Sequence, residues 1–89
     1  MIIKREAFLL NSYMIENQQL NFIGRVLTDI KRGDVLLYKN KSTEACYKIT
    51  NIVSYRHELN EISAGMTCKL IVEGNMYNFK EDIVLYIIN

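Results

Sequence analysis

Residues 21–36 read NFIGRVLTDIKRGDVL, and this stretch is the strongest indication of the architecture. An apolar segment leads into a polar turn that closes on Gly33-Asp34, and a second apolar segment follows. Gly24 interrupts the first segment, where a glycine is typical of a strand bend or a β-bulge. The pattern therefore predicts two short strands joined by a tight turn, as in a small closed β-barrel.

The same pattern continues on both sides of this stretch. Polar residues 16–19 predict a hairpin loop, and residues 39–44 and 56–63 predict further loops. The predicted strands cover residues 7–15, 20–27, 35–38, 46–55, 67–73 and 83–88. A short helix over 58–66 is the competing interpretation, but it lacks a second apolar turn, so we favour a loop. Alternation slips at Ile52-Val53, which predicts a bulge there. We expect an all-β, closed antiparallel barrel of six or seven strands.

Length and composition limit the classes of protein that the chain can represent. The 89 residues predict one domain spanning 1–89, and a hydrophobic content of 49% is enough for a folded core. Lysine and arginine total 11 against 10 acidic residues, for a net charge of +1. That balance gives no general attraction to nucleic acid or to an anionic membrane.

Cysteine usage and the N-terminus indicate a cytoplasmic protein. Cys46 and Cys68 lie in predicted strands, and we interpret them as buried reduced thiols. A disulfide between neighbouring strands remains the alternative. Charged residues 4–6 interrupt the N-terminus before a secretory signal could form. The longest apolar run, residues 83–88, is too short to span a bilayer.

Several short motifs follow one another in a distinctive order. GRV at 24–26 leads into a turn and then KRGD at 31–34, and YRHELNEISAG at 55–65 is an aromatic-basic loop that ends in Ala-Gly. A strand then ends in glycine at 73–74, and EDIVL at 81–85 opens the last strand. In this order they resemble the second domain of translational GTPases of the elongation factor Tu type, a β-barrel that follows the nucleotide-binding domain. The resemblance extends from Phe8 to Tyr86.

The resemblance implies the fold of this domain, here as a free-standing copy, and its departures limit what else it implies. The Gly-x-x-x-x-Gly-Lys-Ser/Thr loop that cradles phosphates is absent, so we expect no bound nucleotide. Relatives carry Gly-Arg-Gly at the first hairpin tip, where this chain has residues 17–19, NQQ. They carry an acidic residue and asparagine after Ala-Gly, where this chain has Met66-Thr67. Binding of the aminoacyl end of tRNA is therefore not carried over.

The residue types that usually carry catalysis form no recognisable constellation. His57, Cys46 and Cys68 supply too few metal ligands and lack the paired spacing of zinc sites. A Cys-His nucleophile would need an exposed thiolate beside its base. Glu58 and Glu61 share a loop, but nothing places them in an apolar pocket that would separate their pKa values. We expect a non-enzymatic protein with no metal and no cofactor.

Basic residues around the third predicted strand provide one candidate binding site. They are Lys31, Arg32, Lys39 and Lys41, and Lys4 and Arg5 are possible additions. If these side chains cluster at one barrel end, Tyr38 and Tyr47 among them would suit stacking on RNA bases. The competing interpretation is a solvated rim with both tyrosines in the core.

The last strand provides the second candidate, because residues 83–88 are apolar on both faces. Alternation places Val84, Tyr86 and Ile88 on one face, and Ile83, Leu85 and Ile87 on the other. We assign the second set to the core, so the first set should be covered by residues 1–3 or by a second protein chain. Protein–protein interaction or a homodimer is our first hypothesis, and RNA or ribonucleoprotein binding is the alternative. A small-molecule-binding barrel or an enzyme ranks last.

Overall fold

The computed structural model describes residues 4–75, 79 and 82–88, and these residues form strands and no helix. The strands are β1 (Lys4–Glu16), β2 (Gln19–Val26), β3 (Ile30–Lys31), β4 (Val35–Lys39), β5 (Glu44–Ser54), β6 (His57–Leu59), β7 (Glu61–Ile62), β8 (Thr67–Glu73) and β9 (Ile83–Ile88). A helical membrane span is accordingly absent from the described residues.

Six strands form a closed antiparallel barrel in the order β4-β9-β1-β2-β8-β5, and β4 pairs with β5 to complete the ring. β6 pairs with β5 as one extra strand. The expected fold class, an all-β closed barrel, is confirmed. Because β9 and β8 lie three strands apart in a ring of six, they occupy opposite walls of the barrel.

Bulges bend the longest strands so that the sheet can close on itself. The register of β1 shifts between Leu10 and Ser12, and the register of β5 shifts between Ile49 and Asn51. A bulge was expected at Ile52-Val53, and the structure has it earlier in the strand, between Ile49 and Asn51. From Asn51 to Val53 the pairing with β8 is regular, and Ile52 is buried in the core.

Two segments expected to be loops contain short strands instead. Residues 56–63 include β6 and β7, and residues 28–33 include β3. β3 and β7 pair with each other, bringing Ile30 opposite Ile62 and Lys31 opposite Glu61. Ile30 and Ile62 are both buried, so this small sheet covers one end of the barrel. The helix considered over 58–66 does not form.

Inward-facing side chains fill the barrel, as the alternation along each strand requires. In β8 the alternate residues Cys68, Leu70 and Val72 share one face and are all buried. The most completely buried apolar side chains are Phe8, Leu10, Phe22, Val26, Leu36, Tyr47, Ile49, Ile52, Leu70 and Leu85. At the end opposite the β3–β7 sheet, Phe79 is buried among other aromatic rings.

Candidate functional site

The two faces of β9 have different surroundings. Leu85 and Ile87 are buried in the core, and Ile83 packs against the core, as expected for the inward set. Val84 and Tyr86 face outward and are half-buried. The side chain of Ile88 and residues 1–3, which we expected as a possible cover, lie outside the described residues. The outward face of β9 therefore presents apolar surface at Val84 and Tyr86.

Neighbouring strands extend this apolar surface on both sides of β9. Leu9 pairs with Val84, and Leu37 pairs with Tyr86. Leu37 is only 5% exposed although it is outside the core cluster, whereas Val35, two residues earlier on the same face, is 45% exposed. We call Leu9, Val35, Leu37, Val84 and Tyr86 the outer patch.

Charged groups border the outer patch. The Lys4 ammonium lies 4.5 Å from the centroid of the Tyr86 ring, within cation–π range. On the other border the Lys39 ammonium lies 4.0 Å from the Glu44 carboxylate, and both side chains are exposed. An apolar centre with a charged border is the usual anatomy of a protein–protein interface.

Sequence reasoning missed the outer-patch residues on β1 and β4. The signal at β4 was present, because Val35-Leu36-Leu37 is apolar at consecutive positions, like the last strand. Alternation then requires an apolar side chain on each face of the barrel wall. Leu9 carried the same signal, because residues 7–10 read AFLL and are also apolar at consecutive positions.

The four basic residues of the RNA hypothesis do not come together. Lys31 at the end of β3 and Arg32 in the turn that follows lie before β4, whereas Lys39 and Lys41 lie at and beyond its other end. A strand of five residues spans roughly 17 Å, so the expected clustering of all four at one barrel end is wrong.

A groove of about 650 Å³ joins Lys31 and Arg32 with a third cation, Lys48, and we call it the basic groove. The Arg32 Nε donates a 2.9 Å hydrogen bond to the Thr50 carbonyl, which fixes the guanidinium at the groove wall. Glu61 also lines the groove and pairs with Lys31 across the β3–β7 sheet. The groove therefore has a cationic excess with one carboxylate nearby.

The tyrosines proposed for base stacking are not both available. Tyr47 is fully buried and its hydroxyl donates a 2.6 Å hydrogen bond to the Asn75 carbonyl, so it belongs to the core. Tyr38 packs against the core and its ring lies edge-on to Phe79. Stacking of bases on Tyr47 is therefore excluded.

The two cysteines differ from one another, and the expectation that both are buried is wrong for Cys46. Cys68 is buried and Cys46 is exposed, and both are free thiols. The reason is alternation: Ala45 and Tyr47 point inward from β5, so Cys46 between them points outward, where it pairs with Leu37 of the outer patch.

We predict that a thiol reagent labels Cys46 in the native protein and reaches Cys68 only after unfolding. Burial raises the pKa of the Cys68 thiol from 9.0 to about 11, so its reactive thiolate is scarce at neutral pH. Since the unfolded thiol ionises first, the free energy of unfolding should also fall as the pH rises towards 11. Mass spectrometry of labelled native protein measures the first effect, with Cys46→Ser as the control. Labelling of Cys68 in the native protein at the same rate as Cys46 would contradict the predicted selectivity.

The remaining candidate chemical groups lie on the surface. His57, Glu58 and Glu61 are exposed, and the Asn51 side-chain amide donates a 3.3 Å hydrogen bond to Glu58. Across the described ranges, no group of three His, Cys, Asp or Glu side chains could hold a metal ion. No protein-family model matches the chain, and no curated protein matches it in sequence.

Proposed function

We propose that the chain is a non-enzymatic binding module that engages a protein through the outer patch, either a second copy of itself or another protein. The observation that carries this proposal is the group of outward apolar side chains on β1, β9 and β4, among which Val35 is exposed and Leu9, Val84 and Tyr86 are half-buried. Its border of charged side chains and its central tyrosine are features that interfaces favour. The exposure of Glu58 and Glu61 also supports binding over acid–base chemistry.

Burial of the outer patch against another apolar surface is favourable in free energy. Apolar area removed from water contributes about 25 cal/mol per Å², so the exposed parts of Val35, Val84 and Tyr86 gain from contact with another apolar surface. A net charge of +1 produces little repulsion between two copies. Both considerations support association through the outer patch.

We further propose that the chain is a relative of the translation-factor β-barrel, acting in the cytoplasm. The ordered motifs from Phe8 to Tyr86 support this kinship, and a closed six-stranded barrel is the fold that it requires. In multidomain relatives this barrel packs against neighbouring domains. An apolar outer surface bordered by charges is the kind of surface that such packing uses.

We predict that Val35→Ser combined with Tyr86→Ser dissociates a dimer or a partner complex while changing the melting temperature little. Sedimentation velocity and thermal unfolding of the same samples measure the two effects. Tyr55→Ser, which removes an exposed tyrosine from the opposite wall, should leave the mass in solution unchanged. An unchanged mass with a clearly lower melting temperature would instead show that the chain covers its own patch, and would contradict the proposal.

The basic groove supports RNA binding as the second candidate function, because it joins Lys31, Arg32 and Lys48. We predict that Lys31→Glu with Lys48→Glu abolishes binding to a single-stranded RNA, and that wild-type affinity falls steeply with salt. Lys39→Glu with Lys41→Glu is the matched control, since it makes the same charge change at the other end of β4. Equal losses in the two variants, or no binding at low salt, would remove this candidate.

A further inference from the structure

The outward side chains of β4 and β5 form three rungs of paired residues, and we call them together the β4–β5 face. The rungs are Val35–Lys48, Leu37–Cys46 and Lys39–Glu44. Every member except Leu37 is exposed. The β4–β5 face shares Val35 and Leu37 with the outer patch and extends that surface onto β5. Its middle rung is apolar, and its end rungs carry the charges.

Opposite charges lie at the two ends of this face along β5. Glu44 and Lys48 are each two residues from Cys46, so all three side chains point outward. Within the chain the Lys39 ammonium lies 4.0 Å from Glu44. Lys48 is next to Glu73 in the ladder with β8, but among the described side chains it forms no ion pair. Lys48 is therefore available to a carboxylate of another molecule.

A two-fold rotation about the middle rung makes the β4–β5 face complementary to itself. The rotation exchanges the end rungs, so Lys48 of each copy lies opposite Glu44 of the other, and Cys46 lies opposite Cys46. Because a two-fold interface makes each contact twice, two such ion pairs form. Each Glu44 then lies between Lys39 of its own chain and Lys48 of the second copy. Val35 lies against the aliphatic stem of the second copy's Lys39.

The other two-fold arrangement of this face pairs its charges less completely. An axis parallel to the strands exchanges β4 with β5, so Lys48 lies opposite Val35 and faces no carboxylate. Glu6, which pairs with Tyr86, lies on β1, two strands from β4 and three from β5 in the closed ring. The curved wall turns Glu6 away from either arrangement. The charges therefore favour the axis along the middle rung.

We propose that two copies of the chain associate through the β4–β5 face about this axis. The inference rests on the proposed function and names a second copy as the protein that is bound. Sheets packed face to face lie about 10 Å apart, and cysteine is a short side chain. The two Cys46 thiols therefore come within reach of a short crosslinker and report on the position of the axis.

The experiment measures dimerisation by sedimentation velocity for the wild type, Lys48→Glu, Glu44→Lys and an equimolar mixture of the two variants. Each variant alone places like charges opposite each other at both contacts, so its dissociation constant should rise about tenfold or more. The mixture places opposite charges at both contacts, so association should return. Lys41→Glu, a charge reversal in the loop beyond β4, is the control and should have no effect.

A short bis-maleimide provides the independent measurement. It should link wild-type chains through Cys46 and leave Cys46→Ser unlinked, because Cys68 is buried. Four results would overturn the inference: a monomer at every soluble concentration, single variants that dimerise like the wild type, a mixture that does not recover association, or a dimer without the crosslink.

The same samples distinguish this inference from the proposed function. A monomeric chain that still binds another protein through Val35 would overturn the inference and leave the proposed function standing. A monomeric chain without such binding would contradict both. All the substituted positions are exposed, and thermal unfolding confirms that each variant is folded.

Discussion

Replacing Gly24 with alanine should lower the free energy of unfolding by about 3 kcal/mol or more. A methyl group at this position would collide with the Leu9 carbonyl oxygen on β1 and come within 3.1 Å of the Phe8 ring. The carbonyl belongs to the backbone of the paired strand, so it moves only if the β1–β2 ladder moves. Leu10, which pairs with Gly24, is also the residue at which the register shift in β1 begins.

Gly33→Ala is the matched control for this prediction. Gly33 has a φ of 93°, but nothing lies within 4 Å of a methyl group placed there. Only backbone strain then opposes the substitution, which costs about 1 to 2 kcal/mol. Urea unfolding of both variants measures the difference. Equal losses at the two glycines would show that β1 and β2 are not held this closely.

Phe79→Ala should lower the free energy of unfolding by about 3 to 5 kcal/mol. The Phe79 ring lies at the centre of an edge-to-face cluster, with centroid distances of 5.1 to 5.7 Å to four other rings. These rings belong to Tyr13, Phe22, Tyr38 and Tyr47. Removing the ring leaves a cavity at the end of the barrel and frees the tyrosines around it.

Two further variants separate loss of packing from loss of fold. Phe79→Leu keeps most of the volume and should cost about 1.5 kcal/mol or less, so it reports on the aromatic geometry. Tyr55→Ala removes an exposed ring and should change stability by about 0.5 kcal/mol at most. Denaturant unfolding with near-ultraviolet circular dichroism follows both stability and tyrosine order. A small loss for Phe79→Ala with unchanged tyrosine signals would contradict the role of this cluster.

The sequence pattern predicted correctly those strands in which apolar and polar residues alternate regularly. The strand over 67–73 has the expected bounds, because its residues alternate and one face is buried along its whole length. The hairpin at 16–19 forms around Asn17 and Gln18, both with positive φ, as its polar composition indicates. These elements are determined by nearby residues.

The missed elements depend on distant partners. β7 exists because Ile62 pairs with Ile30 of β3, a pairing that no local pattern in the polar segment 56–63 indicates. The outer patch differs, because the apolar runs at 7–10 and 35–37 are visible in the sequence, whereas their position beside β9 depends on barrel closure. The basic groove likewise needs β5 to bring Lys48 beside Lys31 and Arg32.

Site-specific photo-crosslinking tests the central claim, that the outer patch is bound by protein, most directly. A photoreactive amino acid replaces Val35 in the full chain, and the same group replaces Lys41 as a control outside the patch. We predict a discrete crosslinked product from position 35 in the native cell, which disappears when Tyr86→Ser is added and is absent from position 41. The absence of a product at position 35, or the same products from both positions, would contradict the claim.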